Sequence, residues 1–311
     1  MKSLVFLALA ITLSSSSALC QLNDTATDED LNASELKAML SASSASLQSY
    51  RFLLEMDQMT ELVNLSDPAV ESQRIASRSL GVGAVNMTAR ALKLVMATVI
   101  LPEGDEGNAT AMAIDEYLIN DTVYLRLDGN WTSLRIPFSE DVWSQQNTIE
   151  QQVEMFNSSN ITLLGSEVVE GLDCYKLKAD IDMASFASQL SQNNSYLPLQ
   201  PINFSQLFNN ATLEAYYWIT KDTHLLKKSE VIENFVISPQ DLGLSPKGPE
   251  NIEMRVYADI SMIFDGFNES VNIELPAEAK TAEALSLNMT PPAQPVPLTQ
   301  ASENENTTST V

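Results

Sequence analysis

The chain has 311 residues and a formal net charge of −24, with a sequence pI of about 4.2. A surface this acidic repels nucleic acid, so we expect no nucleic-acid partner. Only two cysteines are present, Cys20 and Cys174, and they cannot supply the network of disulfides that stabilises many small secreted domains.

The N-terminal 20 residues are typical of a secretory signal peptide. Lys2 precedes an apolar run over residues 4–13, which is too short to span a bilayer, and small residues follow. Cleavage after Cys20 makes Gln21 the mature N-terminus. The alternative is lipidation of Cys20, which tethers the chain to the membrane; Leu19 is larger than the residue that a lipobox prefers. We expect an exported protein, extracellular or in the cell envelope and peripheral to the membrane.

An excess of N-glycosylation sequons supports export. Fifteen of the 22 asparagines begin N-x-[ST], whereas chance alone gives about four. Because glycans require exposed backbone, these positions also predict the outside of the fold. The candidates within the folded part are Asn64, Asn86, Asn108, Asn120, Asn130, Asn157, Asn160, Asn193, Asn203, Asn210 and Asn268.

The folded region is predicted to open with a helix and a long strand. Residues 21–33 are polar and loose. Apolar residues at helical spacing then predict a helix to about Gln48, with Ser34 as its N-cap. From Tyr50 to Asp57 the apolar period changes to two, which predicts a strand.

Further strands are predicted at 71–80, 85–101 and 111–119, separated by Gly81 and Gly83 among other breaks. A hairpin follows, with turns at Asn120-Asp121 and at Asp128-Gly129. Residues 139–156 return to helical spacing.

The second half repeats this pattern. Two strands from Asn160 meet at Gly171, a short helix is predicted from Asp182 to Asn193, and a hairpin turns at Lys221-Asp222. The stretch "NIEMRVYADISMIF" places an apolar residue at every even position from 252 to 264, which predicts a long strand with one buried face. A last strand is predicted in "ESVNIELP", and residues 287–311 are predicted to be a polar, Pro-containing tail that is disordered or forms a short glycosylated stalk.

Short turns between consecutive strands imply antiparallel pairing, and a sheet this wide must curl. We therefore predict an α+β fold, in which residues 34–286 form a single strongly curved antiparallel half-barrel. It has about ten or eleven strands, with two or three helices in its concave mouth.

The apolar side chains on one face of the sheet outnumber what these modest helices can cover. An uncovered apolar face marks a binding groove, although each such residue is also compatible with ordinary core. The candidates for the cavity wall are Tyr50, Phe52, Leu54, Met56, Val123, Leu125, Ile252, Met254, Val256, Ile260 and Met262.

Catalytic motifs are absent from the sequence. The only histidine, His224, lies beside a predicted turn, and Cys174 lies in a predicted strand, so both favour structural roles. No nucleophile elbow, P-loop, zincin motif or Cys/His metal spacing occurs. We expect no enzymatic activity, no cofactor and no metal.

The order of elements resembles a known superfamily. The stretches "SYRFLLEMDQM", "YLINDTVYLRLDGNW", "LLGSEVVEGLDCYKLKADID", "YYWITKDTHLLKK" and "NIELPAEAK" are similar to the LolA/LppX/LprG-like envelope lipid carriers, and within them to exported archaeal-type LolA-like proteins. The resemblance implies a half-open sheet that holds acyl chains or lipoproteins in an apolar hollow. The expected function is non-catalytic binding or transport of lipid at the envelope, with an unidentified envelope protein as a possible partner; the alternative is a structural or adhesive surface glycoprotein with a filled core.

Overall fold

The computed structural model describes residues 32–67, 69–104, 109–127, 129–135, 143, 147–181, 183, 211–239, 241 and 251–285. Two α-helices, twelve strands and one 3-10 helix are assigned within them. In chain order they are α1 (Ala33–Ala45), β1 (Ser49–Asn64), β2 (Gln73–Asn86), β3 (Ala91–Pro102), β4 (Thr110–Ile119), β5 (Thr122–Leu127), β6 (Asn130–Arg135), α2 (Thr148–Ser158), β7 (Asn160–Val169), β8 (Leu172–Asp180), β9 (Thr212–Thr220), β10 (Leu226–Ile237), β11 (Ile252–Asp265), the 3-10 helix (Ala277–Thr281) and β12 (Glu283–Leu285). Among the described residues, no helix has both the length and the apolar character needed to cross a membrane.

All twelve strands form one open sheet in the order β12-β6-β5-β4-β3-β2-β1-β11-β10-β9-β8-β7. Two antiparallel meanders, β1–β6 and β7–β11, meet at the centre, where β1 pairs with β11 from Arg51↔Asp265 to Asn64↔Ile252. The architecture is a curved α+β half-barrel, as predicted.

Cross-strand partners define the two faces of the sheet. Phe52 pairs with Phe264 on β11 and with Gly83 on β2. The same row continues through Leu94 on β3, and on to β4 and β5. Paired residues point to the same side of a sheet, so this row marks one face, which we call the inner face. The opposite side is the outer face.

The N-cap of helix α1 lies two residues before the predicted cap. Asn32, not Ser34, is the N-cap: its side chain accepts a hydrogen bond from the Glu35 backbone N–H at 2.8 Å, and the Glu35 carboxylate accepts from the Asn32 N–H at 3.3 Å. This reciprocal capping box satisfies two backbone donors, which Ser34 cannot do from inside the first turn. The helix ends at Ala45, three residues before the predicted end.

Both helices pack on the inner face. Asn147 caps α2, and the buried Tyr50 hydroxyl of β1 donates to the Asn147 Oδ1 at 2.7 Å and accepts from the Ile149 N–H at 3.2 Å. At the other end of α2, Lys37 of α1 donates to the carbonyl oxygens of Asn157 and Ser159 at 3.0 and 2.6 Å. The helices are therefore tied to each other and to the central strand at both ends of α2.

The predicted division of β2 and β3 was wrong. Gly81 and Gly83 lie inside β2, which continues to Asn86, and β3 begins only at Ala91. Both glycines face inward, where the ring of Phe52 and the side chain of Leu54 occupy the space beside them. They are strand glycines at a close approach and not chain breakers.

The predicted strand in "ESVNIELP" was also wrong. Residues 271–275 join no strand, although Val271, Ile273 and Leu275 are half-buried and alternate with exposed neighbours. Residues 266–285 form what we call the C-terminal strap. It is held at one end of the sheet by the Asn268 N–H, which donates to the Ser49 carbonyl at 2.9 Å.

The strap ends as β12, which pairs in parallel with β6 over Thr132–Leu134 and contributes a twelfth strand that the sequence did not predict. Its parallel direction follows from the strap, which carries the chain back across the sheet. The described part of the predicted 139–156 helix is α2. The predicted signal peptide, the helix at 182–193 apart from residue 183, and the tail at 287–311 lie outside the described residues.

Candidate functional site

The candidate residues on β1 and β11 share the inner face and pair directly. Leu54 pairs with Met262 and Met56 with Ile260, and along the same two strands Val256 pairs with Thr60. Of the nine candidates on these two strands, seven are buried: Tyr50, Phe52, Leu54, Met56, Met254, Val256 and Ile260.

Near the start of β1 and the end of β11, the helices cover the inner face. Tyr50, Phe52 and Phe264 form an aromatic trio with ring centroids 6.1–6.4 Å apart. Phe156 of α2 makes an edge-to-face contact with Tyr217 at 5.1 Å. These rings belong to one hydrophobic cluster with Leu36 and Leu40 of α1 and Ile149 of α2. Here the inner face is core.

Two candidates on β11 differ from the rest. Met262 is half-buried beside Leu54, and Ile252 is 38% exposed at the end of β11, opposite Asn64. Ile252 therefore stands at the rim of the sheet and not within the central cluster.

The part of the inner face between β3 and β6 is covered less completely. Val123 and Leu125, both predicted wall residues, are half-buried. Some of their neighbours on the same face, which cross-strand pairing places on both sides of β4, are half-buried too, whereas Leu118, the direct partner of Val123, and Met96, the partner of Ile114, are buried. We call the half-buried set the open patch: Leu94, Ile114, Val123, Leu125 and Leu127. The sequence predicted two of these five residues as part of a cavity wall. Cross-strand pairing identifies the other three.

A band of polar side chains crosses the inner face farther along β1 than the aromatic trio. Ser79 on β2 and Thr98 on β3 are buried and hydrogen-bonded to each other at 2.8 Å. On β1, the buried Gln58 donates through Nε2 to the Thr60 hydroxyl at 2.9 Å. These side chains satisfy part of one another's hydrogen-bonding capacity, which reduces the penalty of their burial. The band separates the helix-covered region from the apolar residues nearer the opposite end of β11.

Glu116 lies in the middle of the open patch and was not predicted. It pairs with Leu94 on β3 and Leu125 on β5, and on its own strand Ile114 and Leu118 share its face. Burial raises the pKa of its carboxyl, because the surrounding protein disfavours the charged form. The sequence contains one indication of this site, because Glu116 occupies a position of β4 at which the two-residue pattern predicts an apolar side chain.

Cys174 lies in β8 and His224 in the turn between β9 and β10. The Cys174 thiol is buried, its pKa is raised by desolvation, and its Sγ donates to the Leu172 carbonyl at 3.5 Å. His224 adopts a positive φ of 55° in the β9–β10 turn. Over the described ranges, no group of three or more His, Cys, Asp or Glu side chains is placed to hold a metal ion.

The predicted glycosylation sites differ in accessibility. Asn120, Asn130, Asn160 and Asn268 are exposed, whereas Asn64, Asn86 and Asn157 are half-buried. Asn157 lies between the helices, where its Nδ2 donates to the Ser41 hydroxyl at 2.8 Å and its Oδ1 is buried. Asn108, Asn193, Asn203 and Asn210 lie outside the described residues.

The fold and this site define a class: an α+β half-barrel whose inner face is core under two helices and partly open between β3 and β6. The chain belongs to the DUF6612 family, a family of unknown function, which it matches over residues 32–284. A comparison with curated proteins found no match.

Several solved structures are similar to the chain. The lipoprotein LppX of Mycobacterium tuberculosis has 15% identity and a TM-score of 0.34, with 77% of this chain and 98% of that one covered. LprF of Mycobacterium bovis has 14% identity and a TM-score of 0.40, with coverage of 78% and 96%. A putative outer membrane lipoprotein-sorting domain of Vibrio parahaemolyticus has 12% identity and a TM-score of 0.26, with coverage of 78% and 95%.

Proposed function

We propose that this protein is an exported, non-catalytic envelope protein that binds a lipid or acyl chain on the inner face of its half-barrel. The binding region is the open patch, extended toward Met262 along the same face. The seven buried candidates of β1 and β11 form its floor and the adjoining core.

One observation carries the proposal. Five apolar side chains on three adjacent strands of the inner face remain half-buried, although the same face is closed under α1 and α2. Contiguous apolar surface that protein leaves incompletely covered is a usual feature of a ligand groove. The superfamily resemblance of the sequence supports the same function, because it implies acyl chains in the hollow of such a sheet.

The location follows from the sequence. The signal peptide and the density of sequons support export, and lipidation of Cys20 remains the alternative to its removal. The proposed ligand makes the protein peripheral to a membrane, where it exchanges lipid with the bilayer or with another envelope protein.

Native mass spectrometry after mild extraction tests the proposal. We expect additional mass that corresponds to an acyl-chain ligand, and saturable uptake of a fluorescent fatty acid by the delipidated protein. A clean apo mass together with no uptake of the probe contradicts lipid binding.

A pair of variants locates the site. Leu125→Asp places a charge in the open patch and is expected to abolish uptake of the probe. Val82→Asp makes the same change in charge on the outer face, where Val82 is 55% exposed, and is expected to leave uptake unchanged. Equal losses in both variants contradict the assignment to the inner face.

A second candidate function is a structural or adhesive surface glycoprotein. The burial of seven of the nine β1 and β11 candidates favours it, because a filled core needs no ligand. The native mass and the probe experiment distinguish the two functions directly.

A further inference from the structure

Glu116 is the one charged side chain on the inner face of β3–β6 among the residues that the structure describes. Leu94 and Leu125 flank it across the strands, and Ile114 and Leu118 flank it along β4. A carboxyl group in such surroundings is unfavourable unless a hydrogen-bond donor or a cation compensates it.

The neighbouring cations do not compensate Glu116, because they belong to the outer face. Lys93 lies over the Tyr117 ring at 5.7 Å, and Arg126 forms an ion pair with Asp115 at 2.6 Å. Successive residues of a strand point to opposite faces, and Lys93 and Arg126 each adjoin an inner-face residue on their own strand. Both cations therefore lie on the outer face, and the sheet separates them from Glu116. In the described part of the chain, Glu116 has no hydrogen-bond or ion-pair partner.

Other elements on this side of the molecule also carry charged groups. Lys37 of α1 is bonded to the carbonyl oxygens of Asn157 and Ser159, and the pKa of Glu154 on α2 is raised by desolvation and by Glu150. The remaining charged residues of these helices and of the strap are Glu35, Glu269, Glu274, Glu278, Lys280 and Glu283. Burial is the cause of the raised pKa of Glu116.

Glu116 is nevertheless accessible. Its side chain is only half-buried, and three of the four apolar residues around it, Leu94, Ile114 and Leu125, are half-buried as well, whereas Leu118 is fully buried and closes one side. A group that is enclosed enough to be desolvated and still has exposed surface lines a recess and does not belong to a packed interior. The recess therefore presents apolar walls and one unpaired acceptor.

We propose that Glu116 is the head-group position of this recess, which takes an amphiphile whose polar end carries a hydrogen-bond donor, an amine or a hydroxyl. This inference rests on the proposed function. The alkyl part packs on Leu94 and Leu125, while the donor satisfies the Glu116 carboxyl. An amphiphile ending in a carboxylate is disfavoured, since two like charges share a desolvated site.

Three probes with the same twelve-carbon chain test the head-group preference: dodecylamine, dodecanol and dodecanoic acid. We expect the wild-type protein at neutral pH to bind the amine most tightly and the acid least tightly. In Glu116→Gln, the ratio of amine affinity to acid affinity is expected to fall by about tenfold, the effect of one charge-assisted hydrogen bond.

The net acidity of the chain also favours an amine, so a matched control is needed. Glu55→Gln removes one carboxylate from the outer face of β1, where Glu55 is exposed and pairs with Leu80 and Ser261. It is expected to leave the ratio within about twofold of wild type. An equal fall in both variants contradicts the role of Glu116.

The pH dependence of the wild-type protein provides a test that needs no variant. Protonation removes the charge of Glu116, so the advantage of the amine over the alcohol is expected to grow as pH rises through the carboxyl pKa. A ratio that is independent of pH, or unchanged in a folded Glu116→Gln protein, overturns the inference and leaves lipid binding intact. Failure of all three probes to bind overturns the proposed function itself.

Discussion

The ring of Phe52 lies directly over Gly83 on the neighbouring strand. A Cβ atom built at Gly83 overlaps the ring at Cζ, Cε1 and Cε2. Tyr50 and Phe264 contact the same ring, with centroids 6.4 and 6.3 Å away, so it cannot easily move aside. The glycine is required here for space and not for an unusual backbone angle.

Gly83→Ala is therefore expected to reduce the free energy of unfolding by about 1–3 kcal/mol, the usual effect of overpacking a core. Urea denaturation followed by circular dichroism measures it. A neutral or stabilising result contradicts the packing described for Phe52.

Gly81→Ala is the matched control on the same strand and face. Its Cβ lies 3.2 Å from Leu94 Cδ1 and 3.5 Å from Leu54 Cβ, and the Leu94 methyl can shift slightly. Because alanine also lowers the conformational entropy of the unfolded chain, we expect a change of less than about 1 kcal/mol.

Tyr50→Phe is expected to loosen α2. The substitution removes the hydroxyl that donates to Asn147, accepts from the Ile149 N–H and lies 3.0 Å from the Thr148 hydroxyl. Loss of buried hydrogen bonds at a helix N-terminus is expected to cost about 1–2 kcal/mol. Urea denaturation measures this change, and Tyr257→Phe, at an exposed outer-face tyrosine, is expected to be neutral. Equal stability of the two variants contradicts a capping role for Tyr50.

Glu116 is expected to make stability depend on pH in a defined direction. Its pKa is raised in the folded state, so the folded protein retains a proton that the unfolded chain has lost. The free energy of unfolding therefore falls as pH rises from the ordinary glutamate range through the raised pKa.

Glu116→Gln removes this contribution. The variant is expected to gain stability relative to wild type at neutral pH, and the gain is expected to vanish below the ordinary glutamate pKa. Denaturation of both ligand-free proteins across this pH range measures the difference, with Glu55→Gln as the control. A constant difference at all pH values argues against the desolvated carboxyl.

Asn157 is expected to carry no glycan in the folded protein. Its amide is bonded to Ser41 and its side-chain oxygen is buried, so an attached sugar would separate α1 from α2. Asn120, Asn130, Asn160 and Asn268 are exposed and are the expected sites of modification. Glycopeptide mass spectrometry of the native protein compares Asn157 with Asn160, three residues away. Modification of Asn157 in a folded sample contradicts the helix packing.

The spacing of apolar residues along the sequence predicts much of this fold. The strand from Ile252 onward was predicted because a two-residue period with one buried face leaves few alternatives. The same criterion failed at Val271, Ile273 and Leu275, because an extended segment that crosses a sheet buries alternate residues without joining the ladder. Alternation of apolar and polar residues identifies an extended backbone with one covered side. It does not predict whether that backbone forms hydrogen bonds with a neighbouring strand.

The candidate site was less predictable for a related reason. Period two identified Val123 and Leu125, yet it could not distinguish them from Phe52 or Leu54, which the helices and aromatic neighbours bury completely. That distinction depends on which part of the sheet α1 and α2 cover, a tertiary property. Glu116 was missed because a single acidic residue in an apolar phase is not distinctive until its cross-strand partners are known.

The pairing of β1 with β11 joins residues that are far apart in the chain, 214 positions at Arg51↔Asp265 and 188 at Asn64↔Ile252. The first long strand to leave the ribosome must therefore keep one edge unsatisfied until nearly the whole chain has been made. Loop closure over this distance is slow, and an open apolar edge invites association with other chains in the meantime. We therefore expect efficient folding of this protein to depend on protection of the incomplete sheet, for example by a chaperone, until β11 pairs with β1.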